Sequence, residues 1–391
     1  MIKAATVSSF HDDALEAGRV AAEELLDELG AQPEVVLLFA SARHDTARVV
    51  EGLHRRLDAG VRVVGCSTYA EIGPEEGTSG SVTAMGMRLG VVEHRAFKVA
   101  DLGADPYAGG LALGAEVSAF GPSILILLAD GLVNTDRLIL GLQEVLGQEM
   151  PIVGGMAGDD ARFVRTFQIL DREVMSGGAV ALALKGQVEM VTGARSGWLP
   201  IGATRRCNRV VDGNVVLEMD GRPALELYKE YLGARWKEMP GVGSEYPVGI
   251  VGGLGVNRPG AQRLEGDEAI LLLRSVKAVD EARQAIVFGG DIPEGAEVRM
   301  TRATREDIIR GADALGARLT AAMPAPSLAL FFNCGGRKLV LGPRYNDELK
   351  ATFARLPGVP KVGFYSFGEF SPVNGVTMHH DETFTMALIR G

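Results

Sequence analysis

The chain has 391 residues, 47% apolar and 23% charged, which predicts a folded protein of two or three domains. Its net charge of −10 repels phosphate backbones, and no Lys/Arg stripe relieves that, so nucleic acid is not an expected partner. The densest apolar run, 124–129, is far short of the roughly 20 residues that span a bilayer, so no membrane span is expected.

The start, Met1-Ile2-Lys3-Ala4, lacks the apolar core of a signal peptide. Cys66, Cys207 and Cys334 cannot all pair, and their spacing fits no zinc pattern. A cytoplasmic protein with free thiols is the expectation.

Along the chain, Leu15, Val20, Leu25, Leu26 and Leu29 recur at helical spacing and Gly30 closes the run, predicting a helix over 14–29. The apolar run 35–40 reads as a strand buried on both faces. Asp45 is placed to cap a helix carrying Val49, Val50, Leu53 and Leu57, and a short strand follows at 61–65. The same order returns: strand 123–129, helix 135–146 and a short strand entering Gly154-Gly155. It returns again as strand 328–332, helix 346–356 and a strand entering Gly363.

The middle differs. Residues 197–202 read as a connector, and 210–218 as two strands about an Asp212-Gly213-Asn214 turn. A helix follows Pro223 and ends before Gly233, 247–300 is Gly-rich and strand-like, and 305–323 is helical. Alternating strands and helices predict an α/β fold of two domains, with repeated strand–helix–strand units forming mixed, largely parallel sheets and a boundary near 195–220.

The repetition extends to residues. Val64-Gly65-Cys66-Ser67-Thr68-Tyr69-Ala70-Glu71-Ile72-Gly73-Pro74 matches 362–372 at a constant offset of 298, pairing Glu71 with Glu369 and Cys66 with Phe364. A looser copy runs from Val153 to Asp159 and Asp160. Each copy leads into a further strand, at 82–89, 179–184 and 383–389. Each sets a carboxylate after the C-terminal end of a strand, where open α/β sheets bind ligands.

Glu71 and Glu369 are therefore candidates to hold a ligand ammonium, or to act as caps. Asp159 and Asp160 read either the same way or as turn residues. Arg337, in Asn333-Cys334-Gly335-Gly336-Arg337, carries the planar fork that suits a carboxylate. Arg205 and Arg206 are weaker candidates. Cys334 reads as a buried, inert thiol, a ligand contact, or a nucleophile if the fold brings it a base; Cys66, in the slot of Phe364, reads as packing. Trp198 and Tyr365 read as pocket walls or as core. His379 and His380, adjacent in a strand, face opposite ways and cannot easily chelate one metal together; His379 is a candidate ligand contact. Gly252-Gly253-Leu254-Gly255 and Gly289-Gly290 lack the strand–helix setting of a nucleotide loop.

These pieces, together with 197–202, 218–232 and 333–337, make the sequence resemble the FIST sensory proteins, with a FIST N-terminal domain over 1–200 and a FIST C-terminal domain over 201–391. The resemblance implies a cytoplasmic, non-enzymatic input module of bacterial signal transduction that binds a small molecule, such as an amino acid, and signals to a histidine kinase or similar protein in trans. It also implies, as an alternative, a haem-binding nitric-oxide sensor, for which His379 or His380 would be the ligand; a Cys334-dependent hydrolase is a further alternative that rests on the residues and not on the resemblance. The family's His-Asn-Gln-Thr pattern is replaced here by Met378-His379-His380-Asp381-Glu382-Thr383.

Overall fold

The computed structural model describes residues 1–103, 105–252 and 270–391. Its frame is one supersecondary unit used three times. The first runs through strand Lys3–Ser9, helix Ala14–Leu29, strand Val35–Ser41, helix Thr46–Leu53, strand Arg62–Thr68, the hairpin Ala70–Ile72/Gly77–Thr78 and the closing strand Val82–Arg88. The second repeats that order from Glu93–Val99 to Ala179–Lys185, and the third from Glu189–Arg195 to Phe384–Arg390. Between strand Glu189–Arg195 and helix Arg305–Ala322, the third unit carries an inserted eight-stranded sheet that begins at Leu199–Val211 and ends at Glu297–Arg302. The division read at residue 200 falls where the chain enters this insert.

Each unit builds a six-stranded sheet around one parallel pair: Val35–Ser41 with Arg62–Thr68, Ile124–Ala129 with Ile152–Met156, and Leu328–Cys334 with Lys361–Ser366. The remaining pairings among the described residues are antiparallel. The sheets are thus mixed, as expected, but not largely parallel. The reason is local: each parallel pair is followed by a hairpin and a returning strand, which need no helical crossover.

The hairpins are exchanged. That of the first unit pairs with Lys361–Ser366 of the third, that of the second with Arg62–Thr68 of the first, and that of the third with Ile152–Met156 of the second. Three backbone hydrogen bonds repeat this cycle where the strands end: Tyr69 donates to the Tyr365 carbonyl at 3.1 Å, Gly158 to Ser67 at 2.9 Å, and Phe367 to Met156 at 3.2 Å.

An inner core, with Leu37, Phe39, Ile126, Leu128, Phe332 and Phe364, draws on all three units. Three outer cores lie beneath their helices, and the insert has a core of its own. The repeated Val-Gly has a packing cause: a Cβ on Gly65, Gly154 or Gly363 would overlap the carbonyl of Leu38, Leu127 or Phe331 on the adjacent strand.

Candidate functional site

The parallel strands of all three units end at this hydrogen-bonded ring, and the insert lies against the third unit beside it. Between them is a cavity of about 210 Å³, the size of a small metabolite rather than a drug-sized ligand. One wall comes from the repeated units, through Tyr69, Phe163, Cys334, Ser366, Phe367 and Glu382. The other comes from the insert, through Pro240, Gly241, Ser244, Ser275, Val276 and Lys277.

The polar end is built by three local arrangements. Cys334 closes strand Leu328–Cys334, and helix Gly335–Leu341 starts directly after it. Gly335 and Gly336 line the cavity as well. A Cβ on Gly336 would overlap the Glu382 carboxylate, so only glycine leaves that carboxylate its place. Glu382 itself turns the chain in the left-handed region, φ 51°, between the third hairpin and the closing strand. It is 1% exposed, and its Oε2 has no hydrogen-bond partner among the described residues. Burial pushes its carboxyl up to about 7; Lys277 opposes the rise and Asp381 adds to it.

Lys277 enters from the insert strand Val276–Asp280. Its Nζ donates to the Phe367 carbonyl at 3.2 Å and lies 3.6 Å from Asp381 Oδ1. Burial works against its charge, but the acidic surroundings, Asp381 first among them, outweigh burial and raise its pKa. Burial, with Glu369 and Glu382, pushes the Cys334 thiol well up against the opposing pull of Lys277. Cys334 therefore sits in the cavity as a neutral thiol.

The seam between insert and repeats is pinned by charge. Asp381 accepts from Ser275 N and Oγ at 3.4 and 3.1 Å. Deeper in, Arg274 donates to both oxygens of Asp136 at 3.1 and 3.2 Å and to the His379 carbonyl at 3.0 Å. Burial disfavours the Asp136 carboxylate, yet Arg274 and His379 hold it well below the usual range.

Among the candidates from sequence, Cys334 lines the cavity. Arg337 does not, and its guanidinium is already used. It donates to Glu348 at 2.7 and 3.2 Å, to the Ser196 carbonyl, and to the Glu382 and Ile308 carbonyls at 3.3 and 3.4 Å. Trp198 and Phe384 cover it, their centroids 5.7 and 5.9 Å away. The fork that suits a ligand carboxylate is filled by Glu348, and Trp198 is part of that packing.

Glu71 and Glu369 are fully buried, each held by hydrogen bonds from its own unit. Glu71 accepts from Thr68 Oγ1 at 2.5 Å and from Ser81 N and Oγ at 2.9 and 2.8 Å. Glu369 accepts from Ser366 Oγ at 2.6 Å and Thr383 N at 3.3 Å. Neither lines the cavity; both fix turns.

Asp159 likewise binds the amides of Arg162, Phe163, Val164 and Arg165 at 2.7–3.0 Å. Asp160 pairs with Arg43 at 3.4 Å on the surface. Tyr365 is buried and donates to the Tyr345 carbonyl at 3.3 Å. Cys66 is buried in the inner core, as its packing reading has it. Arg205 pairs with Asp220 at 3.1 Å on the insert. Arg206 is on the same insert strand, and neither lines the cavity. Of the glycine runs, 253–255 lie outside the described residues.

His379 Nδ1 meets Asp136 at 3.2 Å and His380 Nε2 the Ser371 carbonyl at 3.0 Å. Burial lowers His380 to about 4. His379 Nε2 has no partner, but it lies against Gly368, where even a Cβ would overlap it. Neither ring lines the cavity. These residues do not fit a haem, which needs an open axial nitrogen and space for the macrocycle.

Sequence reasoning missed Glu382, Lys277 and the aromatic wall. The one signal for Glu382 was its place in the segment that departs from the family pattern.

Comparison with known proteins gives a FIST N domain over residues 34–222 and a FIST C domain over 224–372. An uncharacterized protein of Mycobacterium tuberculosis is 29% identical over 290 residues, 72% of each chain. One of Mycobacterium bovis is 25% identical over 388 residues, 96% of each. One of Methanocaldococcus jannaschii is 25% identical over 273 residues, 65% of this chain and 51% of that one. Among solved structures, cyanuric acid hydrolase from A. caulinodans covers 47% of this chain and 72% of its own at 12% identity, with a TM-score of 0.27. No helix among the described residues is long and apolar enough to cross a membrane.

Proposed function

We propose a function from one premise: this chain belongs to the FIST family, whose domains are known in signal-transduction sensors. The chain reversibly binds a small amine-bearing metabolite, such as an amino acid, in the cavity between the repeats and the insert. It acts in the cytoplasm and passes the signal to another protein, such as a histidine kinase.

The observation that carries this reading is Glu382 Oε2, a buried carboxylate oxygen of the cavity wall without a hydrogen-bond partner among the described residues. Buried polar groups left unmatched mark a missing partner, and an ammonium supplies both charge and donors. Lys277, about a third exposed, offers the complementary cation for a carboxylate. Tyr69, Phe163 and Phe367 surround the apolar remainder. In this reading Glu382 and Lys277 take the roles expected of Glu71 or Glu369 and of Arg337.

Binding is favoured over catalysis because the described residues of the cavity wall include no imidazole and its thiol is kept neutral. Because insert and repeats each supply a wall, a ligand touching both draws them together, a common switching mode.

The test is a thermal-melt screen of purified protein against amino acids, other small amines and carboxylates, and haemin. Ligand at 100 times its Kd stabilises the fold by about 2.7 kcal/mol, which raises Tm by several degrees. Glu382→Gln and Lys277→Met abolish that rise if the roles are right. A ligand that stabilises Glu382→Gln as well as the parent chain, or a response to haemin alone, overturns the proposal.

A further inference from the structure

Residues 161–165, Ala-Arg-Phe-Val-Arg, are all exposed, and apolar side chains are among them: Phe163 is 53% and Val164 76% exposed. Phe163 also lines the cavity and stacks on Phe367 at 4.5 Å. Leu339, on the same cavity rim, is exposed as well. So is Leu132, next to Gly131, whose amide Thr166 binds at the end of the loop.

This is not a slack loop. Asp159 ties down four successive amides. Asp160, Ala161 and Phe163 are held in the left-handed region, at φ 60°, 58° and 53°, where residues with side chains persist only under constraint and often mark function. Beyond the Phe163–Phe367 stack, a loop held in this form with Val164 and half of Phe163 in water gains little for its own fold. It is pre-organised for contact, which lowers the entropy lost on binding.

Charge identifies the partner. The chain carries −10 overall, yet three arginines border or lie in this loop: Arg43 and Arg162 share Asp160 at 3.4 and 4.0 Å, Arg165 is exposed beside them, and the Asp159 carboxylate is turned onto the loop's own amides. The chain's overall charge disfavours an anionic membrane and a second acidic copy at large, whereas the local arginines suit a short acidic stretch with apolar residues between its carboxylates.

We infer that the 159–165 loop is a docking element for an acidic, apolar-spaced segment of another protein, set at the mouth of the cavity so that the partner covers Phe163. The inference goes beyond the ligand reading, and its test uses no small ligand, so either can fail alone.

The probe is a fluorescein-labelled peptide alternating Asp or Glu with Leu or Phe, followed by anisotropy with the full chain. A second peptide carries Lys at the acidic positions. The acidic peptide binds and the basic one does not. Arg162→Glu with Arg165→Glu weakens binding at least about tenfold, and so does Val164→Asp, while the circular dichroism and Tm of both variants match the parent. Salt above about 0.5 M weakens binding too, since exposed charges are screened. No binding of the acidic peptide, or equal binding by the variants, overturns the inference. So does sedimentation with phosphatidylserine vesicles that the loop variants lose, or concentration-dependent dimerisation that they lose.

Discussion

Glu71 and Gln168 hold the same position in successive units: each accepts the backbone amide that precedes the closing strand, Ser81 at 2.9 Å and Gly178 at 3.2 Å. Glu369 does so a third time with Thr383. Since an amide side chain serves in the second unit, the position needs an acceptor oxygen rather than a charge.

That equivalence predicts how Glu71 titrates. Burial lifts its carboxyl to about 7, against the pull of Thr68 and Ser81. A carboxyl with a raised folded pKa keeps its proton in the folded chain after the unfolded chain has lost it. The contribution of Glu71 to stability is therefore greatest below the ordinary value of 4.5, falls as pH rises towards about 7, and levels off above it. The cost at alkaline pH is about 3 kcal/mol. Glu71→Gln, which copies Gln168, leaves stability at pH 5 nearly unchanged and flattens part of this fall. Denaturant melts at pH 5, 6, 7 and 8 check it, and an equal slope in both chains contradicts it.

A second prediction concerns the Val-Gly step. A Cβ on Gly363 would overlap the Phe331 carbonyl, a backbone atom that cannot swing aside. Gly363→Ala then costs about 3 kcal/mol or more, at the upper end of overpacking. Gly60, with nothing within 4 Å of a Cβ, is the control, and Gly60→Ala is neutral or slightly stabilising. Urea midpoints separate the two.

Arg337 supplies the third. It and Glu348 are both fully buried and lie 2.7 Å apart. Arg337→Ala strands a buried carboxylate, which costs about 3–5 kcal/mol. The expected result is a large loss of Tm, with the affinity of whatever remains folded little changed. A variant of parental Tm that no longer binds would return Arg337 to the ligand.

These cases show what could be read from the sequence. The helices Ala14–Leu29, Thr135–Leu146 and Ala224–Leu232 lie where apolar spacing and end residues put them, because period and caps are local. The edge strands Lys3–Ser9, Glu93–Val99 and Glu189–Arg195 were not seen, since their half-exposed patterns resemble loops. The repeat of Glu71 and Glu369 was real, but it records a backbone requirement of the unit and not a ligand. Lys277 lies in an insert with no repeat partner, and nothing periodic ties it to Glu382, more than a hundred residues later. Their meeting is a product of the fold.

The last prediction joins that meeting to pH. With its carboxyl at about 7, Glu382 is largely protonated at pH 6 and largely ionised at pH 8. An ammonium ligand needs the ionised form, so below pH 7 binding must first remove a proton. Affinity then falls about tenfold from pH 8 to pH 6. Glu382→Gln has no such proton to lose, so any residual binding is flat over this range. Calorimetry in buffers of different ionisation heat counts the proton released at pH 6. Equal affinity at both pH values in the parent chain would mean that Glu382 does not hold the ligand's charge.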